Sequence, residues 1–486
     1  MSATPVLFQR SALSLACACA AMMLGACALP SPGSHEELAT ASAPNRKLPA
    51  EWRAAATPAG AVADQWLQGF NDAQLNALVQ EALTYSPDLQ SVAARVEQAA
   101  AYVRVASGLL YPQVNLLARG GGKLSGDSSG LEGLGFFANW EIDLWGRVRA
   151  GASAAQSQYV ASQLDATYAR QSLAAQVAKG WFLATEARLQ LALAQETLQA
   201  STRLEQLAKD RLRVGIGDEY DVRLTQANLN SLRDTVQNLE QSYLQALRSL
   251  EILAGRYPSA SLQVSATLPE LGTAVPQAGV PSALLERRPD VVAAERRLAA
   301  AFYNTEQAKA ARLPRLSLTG GVTSVSSSLF VLQDRENPVW SVGANIMAPI
   351  FLGGQLQGQV DLRTAEQKQA LADYGRIGSK AFGEVENALS ASTTLIGRET
   401  VLAQAVNDNQ AAVELAETRF RVGSIDMRPL LQQRLSLYAA QVALLRVRGE
   451  QRVQRVNLHL ALGGSFAEPI DSQTLSQNKG TTPAAQ

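Results

Sequence analysis

The sequence predicts a mainly α-helical chain with a membrane β-barrel portion, built from two internal repeats. Two stretches, 148–213 and 355–421, contain no proline and are too long to be helices of one globular core. Four short segments alternate between apolar and polar residues, which is typical of strands with one apolar face. Motifs of the first half recur in the second half, which indicates a duplicated structural unit.

The recurring motifs place the two repeats at about 64–263 and 264–464. Three pairs of motifs recur: Ser86-Pro87-Asp88-Leu89 and Arg288-Pro289-Asp290-Val291, Tyr111-Pro112-Gln113-Val114 and Leu313-Pro314-Arg315-Leu316, and Arg213-Val214-Gly215 and Arg421-Val422-Gly423. The first two pairs are offset by 202 residues (289 − 87) and the third by 208 (423 − 215). Each repeat is therefore predicted to contain a helix, two strands, a long helix, a sharp turn and a return helix.

The alternating segments are predicted to be strands of a membrane-embedded sheet. Each is about as long as a tilted membrane strand, and Phe136, Trp140 and Trp340 belong to the outward-facing set, as aromatic residues at membrane interfaces do. An alternative is a soluble sheet whose apolar face packs on helices. The predicted strands lie at about 113–119, 134–143, 315–323 and 339–347.

Four strands per chain are too few to close a membrane barrel, for which about eight is the minimum. An open sheet edge in lipid leaves unpaired backbone groups, each at a cost of several kcal/mol. We therefore expect copies of the chain to share their strands in a cyclic assembly. Geometry alone leaves both two and three copies open.

The helical regions are predicted to form long hairpins. An opening helix is expected at about 72–110, because the residue before Pro112 is disfavoured in the helical region. The two proline-free helices would each span roughly 100 Å. Gly215 and Gly423 suit the left-handed position that ends a helix, and Asp218 or Asp426 can cap the helix that follows. Apolar residues at heptad spacing favour helices packed along helices, as the wall of a tube or as an isolated antiparallel coiled coil.

The N-terminus is predicted to direct export and lipidation. An apolar run follows Arg10 and makes residues 1–26 a signal peptide. The run ends in Leu24-Gly25-Ala26-Cys27, which resembles a bacterial lipobox, so Cys27 is the expected lipidation site; signal cleavage beside an incidental cysteine is the alternative. We expect residues 27–63 to form an extended linker and residues 465–486 a loose tail.

Composition and motifs argue against several classes of function. Lys+Arg and Asp+Glu are equal at 43 each, so no net charge attracts nucleic acid. The two histidines are distant in sequence and no phosphate-binding motif occurs, which predicts no metal, no nucleotide and no enzyme. Glu141 and Asp143 share a strand face but are expected to hold the strand-to-helix elbow rather than to catalyse hydrolysis. The only expected cofactor-like group is the covalent lipid on Cys27.

Taken together, the motifs resemble those of the TolC-like outer-membrane factors of bacterial efflux systems. The lipobox and the run from Val280 to Asp290 are similar to the NodT-type lipoprotein branch of that family. The run from Trp140 to Arg147 and the Arg-Val-Gly motif at both turns match as well. The resemblance covers about 64–463, and the combination of motifs is far more specific than any one of them.

The resemblance implies a homotrimer, whose twelve strands close one barrel in the outer membrane and whose twelve helices close a second barrel in the periplasm. It also implies two protein partners, a periplasmic adaptor protein and an inner-membrane transporter of the resistance-nodulation-division type. By the same match, the adaptor contacts Val214, Gly215, Val422 and Gly423. The implied location is the bacterial outer membrane, with a lipid anchor and an extension into the periplasm.

The resemblance further implies a gate at the hairpin turns, for which Asp221, Arg419, Phe420 and Gln432 are the candidates. Phe420 and Gln432 replace a tyrosine and an aspartate that relatives often carry, so the gate departs from the family pattern. The expected function is passive conduction of small molecules such as drugs in an efflux pump. The alternatives are the duct of a type I protein secretion system and a non-conducting, lipid-anchored coiled-coil scaffold.

Overall fold

The computed structural model describes residues 29–54, 62, 64–119, 132–272, 276–326 and 339–465. Its strands are β1 (Gln113–Arg119), β2 (Glu132–Ile142), β3 (Arg315–Ser326) and β4 (Val339–Met347). Its helices are α1 (His35–Ser42), α2 (Ala73–Tyr85), α3 (Pro87–Gly108), α4 (Arg147–Arg213), α5 (Glu219–Leu253), α6 (Leu284–Arg287), α7 (Pro289–Ala310), α8 (Gln355–Arg421) and α9 (Met427–Ala461). Short 3₁₀ turns occur at Gln68–Phe70 and Pro281–Ala283.

Three pairs of helices have the same length in the two halves of the chain, whereas α2 has 13 residues and α6, at the equivalent place, has 4. Helices α3 and α7 have 22 residues each, α4 and α8 have 67 each, and α5 and α9 have 35 each. The two long helices coincide with the proline-free stretches of the sequence, so those helix predictions are confirmed. Among the described residues, no helix combines the length and the apolar character needed to cross a membrane.

The chain divides into two compact units. One comprises Met1–Arg46, Ala94–Leu164 and Val292–Ile377, and it holds all four strands. The other comprises Lys47–Ala93, Asp165–Val291 and Gly378–Gln486. The sheet of the first unit is antiparallel throughout, in the order β1-β2-β3-β4.

The register of the sheet places one set of apolar residues from all four strands on the same face, while Leu117 and Phe137 lie on the other face. Leu116 lies opposite Phe136, Phe136 opposite Val322, and Val322 opposite Trp340. Side chains at every second position of a strand share a face, so the period-two pattern of the sequence becomes one continuous surface. Phe136, Trp340 and Val342 are exposed, and Val342 is 92% exposed. The alternative of a sheet whose apolar face packs on helices of the same chain therefore finds no support at these described residues.

Two sequence expectations are corrected. The opening helix expected at about 72–110 is interrupted at Ser86, whose extended backbone separates α2 from α3, because Pro87 disfavours the helical conformation of the residue before it. The linker expected to be extended contains helix α1, which begins with a capping box formed by Ser34 and Glu37. Cys27 and the signal peptide lie outside the described residues, as do residues 466–486 of the predicted tail.

The main core of the second unit lies around Trp181 and Phe182 of α4, which are almost fully buried. Asp72 stabilises this core through two kinds of hydrogen bond. Its carboxylate caps α2 by accepting from the backbone of Gln74 and Leu75, and it also accepts from Nε1 of Trp181 at 2.9 Å. The core thereby ties the start of α2 to the middle of α4.

Candidate functional site

The first candidate surface is the turn that ends α4. Gly215 has a φ of +78°, its N–H donates to the carbonyl of Leu212 at 3.0 Å, and the N–H of Ile216 donates to the carbonyl of Arg211 at 3.0 Å. These two bonds form a Schellman motif, which requires a left-handed residue that glycine adopts without a Cβ penalty. Asp218 then caps α5 by accepting from the backbone N–H of Tyr220 at 3.2 Å.

The turn that ends α8 has the same construction. Gly423 has a φ of +75°, its N–H donates to the carbonyl of Phe420 at 3.1 Å, and Ser424 donates to the carbonyl of Arg419 at 2.8 Å. The predicted capping differs here, because Asp426 occupies the N-cap position of α9 without a side-chain bond to the helix backbone. The two turns together are called the hairpin tips, residues 214–218 and 422–426.

The hairpin tips present the four residues predicted to contact an adaptor. Val214 is 64% exposed and Val422 is 74% exposed, although both are apolar. A Cβ built on Gly215 or Gly423 would meet no atom within 4 Å, so the space in front of both glycines is open. The predicted adaptor residues thus form two exposed apolar patches, in which the backbone of the glycine is accessible. Such patches are suited to contact with another protein.

Phe420, one of the predicted gate residues, is part of an apolar cluster beneath the tips. Its ring is only 7% exposed and packs with apolar residues of both hairpins. The guanidinium of Arg211 lies 5.0 Å from the centre of the ring, which is a cation–π contact. The other buried members of the cluster are Leu204, Ala208, Met427, Leu430 and Leu431. Any effect of Phe420 on a gate would act through this packing.

Asp221 lies in an acidic environment at the start of α5. Partial burial raises the pKa of its carboxyl, and the negative charges of Asp218 and Asp426 raise this pKa further, while Arg211 and Arg428 act in the opposite direction. The tips thus bring together acidic residues of both halves of the chain. Arg419 and Gln432, the remaining gate candidates, are exposed.

The sequence analysis did not identify the contact between Tyr220 and Arg428. Nη2 of Arg428 donates to the tyrosine hydroxyl at 2.7 Å, and the guanidinium lies 5.0 Å from the ring centre. The contact joins the two hairpins of one chain at the tips. Its only sequence signal is that the two residues occupy equivalent positions, 208 residues apart (428 − 220).

The strand-to-helix elbow confirms the structural role predicted for Glu141 and Asp143. The carboxylate of Glu141 accepts two bonds from Arg147, at 2.9 and 2.7 Å. The carboxylate of Asp143 accepts from the backbone N–H groups of Val148 and Arg149 at the start of α4. Both acids are therefore engaged in fixing the direction of the helix. Within the described residues, no group of three or more potential His, Cys, Asp or Glu ligands is placed to hold a metal ion.

Comparison with known proteins identifies the family. The family model described as outer membrane efflux protein matches residues 78–256 and 280–464, one match in each half of the chain. The pyoverdine export outer membrane protein OpmQ of Pseudomonas aeruginosa is 31% identical over 93% of this chain and 97% of its own length. The cation efflux system protein CusC of Escherichia coli O6:H1 is 28% identical over 83% of this chain and 88% of its own length.

Solved structures agree with the sequence comparison. The outer-membrane channel OprN has a TM-score of 0.78 and 27% identity, covering 90% of this chain and 99% of its own. The MtrE outer membrane channel of Neisseria gonorrhoeae, in its open state, has a TM-score of 0.78 and 27% identity, covering 90% and 98%. The fold, the two-part family match and the named relatives lead to one conclusion: this chain belongs to the outer membrane efflux protein family, whose members export solutes across the bacterial outer membrane.

Proposed function

We propose that this chain is the outer-membrane conduit of a tripartite pump that expels small molecules. An inner-membrane transporter of the resistance-nodulation-division type supplies the energy, and a periplasmic adaptor joins that transporter to the conduit. One observation carries the proposal. A strand hairpin followed by helices of 67 and 35 residues occurs twice, and the efflux family model matches once in each half. The conduit itself is passive and performs no catalysis.

The assembly is a homotrimer with a twelve-stranded barrel and a twelve-helix periplasmic barrel. The exposed apolar face of the sheet supports contact with lipid, since burial of such a surface in hydrocarbon is favourable. Strands β1 and β4 form the two edges of the sheet. Because unpaired strand edges are costly in a membrane, these edges support pairing with strands of another copy. The equal lengths of three helix pairs, α3 and α7, α4 and α8, and α5 and α9, support two repeats with the boundaries proposed from the sequence.

A lipid on Cys27 anchors the chain next to the sheet. Leu29 contacts the elbow that follows β2, where a Cβ built on Gly146 would lie 3.4 Å from Cγ of Leu29. Cys27 precedes Leu29 by two residues in the sequence. This position supports an anchor at the membrane boundary of the sheet, where acyl chains add to the apolar surface held in the bilayer.

The partners and the gate are assigned to the hairpin tips. The exposed Val214–Gly215 and Val422–Gly423 patches are the proposed adaptor contacts. Asp221, Arg419 and Gln432 lie near the tips, where a ring of charged and polar side chains would control the passage of ions. Phe420 supports that ring from beneath. The names of relatives include pyoverdine export, cation efflux and antibiotic efflux, which supports small solutes as the exported class.

Two measurements test the proposal. The purified full-length protein is placed in planar bilayers, where we expect discrete single-channel conductance; its absence in correctly assembled protein would favour the non-conducting scaffold. A strain lacking the gene is then tested against drugs, dyes and metal salts and for secreted proteins. Increased susceptibility that the wild-type gene restores supports efflux, whereas a loss confined to protein secretion supports the secretion duct.

A further inference from the structure

Two exposed apolar side chains, Leu117 of β1 and Phe137 of β2, lie on the face of the sheet that points away from the proposed lipid contact. Leu117 lies opposite Gly135, which is two residues before Phe137. The two side chains are therefore diagonal neighbours on one face, within reach of each other. We call them the Leu117–Phe137 patch. Polar, exposed side chains surround the patch on the same face: Asn115, Asn139, Thr319 and Ser341.

The patch lies over two glycine residues of the sheet. Leu117 is directly opposite Gly135, and Phe137 is directly opposite Gly321. A Cβ built on Gly321 would lie 3.3 Å from Cδ1 of Phe137, so the ring extends across this glycine. Both glycines are buried. Covering a glycine is a structural role that cross-strand aromatic residues can have, so the equivalent glycine in the second half of the chain is the relevant comparison.

The second half of the chain covers its equivalent glycine with a polar residue. Gly343 is 208 positions after Gly135 (343 − 135), and Thr319 is opposite Gly343. Thr319 is itself the equivalent of Leu117, 202 positions later (319 − 117). A Cβ built on Gly343 would lie 3.1 Å from Oγ1 of Thr319, so the threonine hydroxyl lies where leucine lies in the first half. The hairpin therefore forms without an apolar residue at this position.

The position of Phe137 shows the same difference between the halves. Its equivalent is Asn345, 208 positions later (345 − 137), which is exposed on the same face. In the first hairpin Phe137 lies opposite Asn115, and in the second Asn345 lies opposite Ser317, so the register is the same. The fold accepts a carboxamide where the first half has a phenyl ring. The apolar character of the Leu117–Phe137 patch is thus not a requirement of the sheet.

Exported solutes are the molecules that reach this patch. In the proposed conduit, the face that points away from lipid lines the passage. Pairing of β1 with a strand of another copy extends the sheet at its edge and leaves both faces uncovered. The amide and hydroxyl groups around the patch can bind polar substituents of a solute whose apolar part contacts Phe137, an arrangement typical of small-molecule sites. An aromatic solute suits the patch best, since aromatic rings stack favourably on one another.

We propose that the Leu117–Phe137 patch contacts the aromatic part of exported solutes, so that Phe137 determines how long an aromatic solute stays in the conduit. The proposal rests on the proposed function and adds to it a class of substrate, amphiphilic solutes with an aromatic ring. Conduction needs contacts that are favourable enough to admit a solute and weak enough to release it. A single ring with a leucine beside it offers a contact of this moderate strength.

Thiol labelling tests whether the patch faces water. Phe137→Cys and Phe136→Cys are compared in the full-length protein in lipid vesicles, with a charged, water-soluble methanethiosulfonate as the reagent. We expect Phe137→Cys to react on the order of 10-fold faster, because the reactive thiolate forms in water and is disfavoured in apolar surroundings. Position 136 is the matched control, since it is the next residue of the same strand and belongs to the proposed lipid-facing set. Equal or faster labelling at position 136 would overturn the inference.

Single-channel recordings in planar bilayers test the contact itself. The probe is ethidium, a planar aromatic cation, and the control is tetraethylammonium, which has the same charge and no ring. We expect ethidium to interrupt the current of the wild-type protein. Phe137→Asn introduces the residue of the second half and should shorten these interruptions roughly 2- to 10-fold. Interruptions by tetraethylammonium should have the same length in both proteins.

Three further variants test the contact without removing the ring. Asn345→Phe adds a ring at the equivalent position of the second half and should lengthen the interruptions by ethidium but not those by tetraethylammonium. Phe137→Tyr keeps the ring and should behave like the wild type. Leu117→Thr introduces the residue of the second half beside an intact ring and should shorten the interruptions less than Phe137→Asn does.

The outcomes separate this inference from the proposed function. Interruptions by ethidium that are equally long in the wild type and in Phe137→Asn overturn the inference and leave the conduit intact. Interruptions that shorten equally for both cations in Phe137→Asn also overturn it, because the substitution would then act on the width of the passage. Absence of conductance in correctly assembled wild-type protein overturns both the inference and the proposed conduit.

Discussion

Nη1 of Arg288 lies 2.6 Å from Oε2 of Glu384, which joins the segment before α7 to helix α8. Arg288 is only 2% exposed. Its Nε and Nη2 atoms donate to both carboxylate oxygens of Asp290, and Nη1 also donates to the carbonyl of Ala461. The arginine of the Arg-Pro-Asp motif is thus the centre of a buried clamp between three segments of the second unit.

Replacement of Arg288 by alanine should destabilise the protein strongly. The substitution removes the buried arginine from two partly exposed carboxylates, of which Glu384 keeps Lys380 at 3.7 Å. We therefore expect a loss of about 2 kcal/mol, below the roughly 3–5 kcal/mol of a fully buried pair. Chemical unfolding of the purified variant in detergent measures the change. Arg287→Ala is the matched control, because Arg287 is more exposed and pairs with Asp64 at the surface, where an ion pair contributes about 0–1 kcal/mol. Equal losses in the two variants would contradict the clamp.

A second prediction concerns the contact between Gly449 of α9 and Glu186 of α4. A Cβ built on Gly449 would lie 2.1 Å from Oε2 of Glu186, so Gly449→Ala forces this side chain into another rotamer and should destabilise the protein by about 1 kcal/mol. Gly397→Ala is the control, because no atom lies within 4 Å of a Cβ at that helical position and the change should be neutral or stabilising.

The cost of Gly449→Ala should largely disappear in a Glu186→Ala background. The two residues are in contact, and contacting residues give non-additive free energies of unfolding in a double-mutant cycle. The four proteins of the cycle are compared by urea unfolding. If the two substitutions changed the free energy of unfolding additively, the cost of Gly449→Ala would not come from its contact with Glu186.

Glu186 should also make stability depend on pH. Burial raises the pKa of its carboxyl to about 7, and the negative charge of Glu450 also raises it, while Gln190 and Arg446 act to lower it. Between about pH 4.5 and pH 7, the carboxyl of Glu186 is therefore protonated in the native state and ionised in the unfolded state, where its pKa is near 4.5. This contribution is complete below about pH 4.5 and is lost as the pH rises through 7.

Glu186→Gln tests this dependence, because glutamine stays neutral at every pH. We expect the wild-type protein to lose on the order of 2 kcal/mol relative to this variant between pH 5 and pH 8. The free energy of unfolding is measured at both pH values for both proteins. Parallel pH profiles would contradict an ionising Glu186 in a buried position.

The sequence predicted the elements whose signals are local. The strands β1 and β4 were located to the residue, and β2 and β3 to within three residues, because alternation has a period of two and a turn breaks it. The ends of α4 and α8 followed from Gly215 and Gly423, which stop a helix through backbone geometry alone.

The remaining features depend on contacts between distant parts of the sequence. Phe420 was expected at a gate on the strength of a resemblance, and its burial beneath Arg211 follows from packing of the two hairpins. The partner of Arg428 is Tyr220, which lies 208 residues away in the sequence, and no local sequence pattern predicts this contact. The same holds for Arg288, whose motif was visible but whose partner Glu384 lies 96 residues further on.

Lipidation of Cys27 is tested with labelled palmitate. The wild-type protein should incorporate the label and partition with the outer membrane, whereas Cys27→Ala should lose the label completely, because no other residue in that motif offers a thiol. Met1–Ala26 would then be removed by another route or retained, which mass spectrometry of the purified protein distinguishes. Label that persists in Cys27→Ala would contradict the predicted anchor.

The adaptor contact at the hairpin tips is tested at Gly423. Gly423→Glu should abolish export, because it adds bulk and negative charge where the backbone is bare and the space in front of it is open. Any side chain at a φ of +75° also introduces strain of about 1–2 kcal/mol, so loss of export could arise from the backbone alone. Gly423→Asn controls for this, since asparagine tolerates the left-handed conformation better than glutamate does.

We expect the asparagine variant to keep most of its drug resistance and the glutamate variant to lose it, with both proteins present at wild-type levels in the outer membrane. Gly215→Glu and Gly215→Asn repeat the comparison at the equivalent tip, where φ is +78°. Conductance of the purified glutamate variants in planar bilayers should stay close to that of the wild type, since the change affects docking rather than the conduit. Full drug resistance in Gly423→Glu would remove the assignment of this tip to the adaptor, whereas equal losses in the glutamate and asparagine variants would assign the effect to the turn itself.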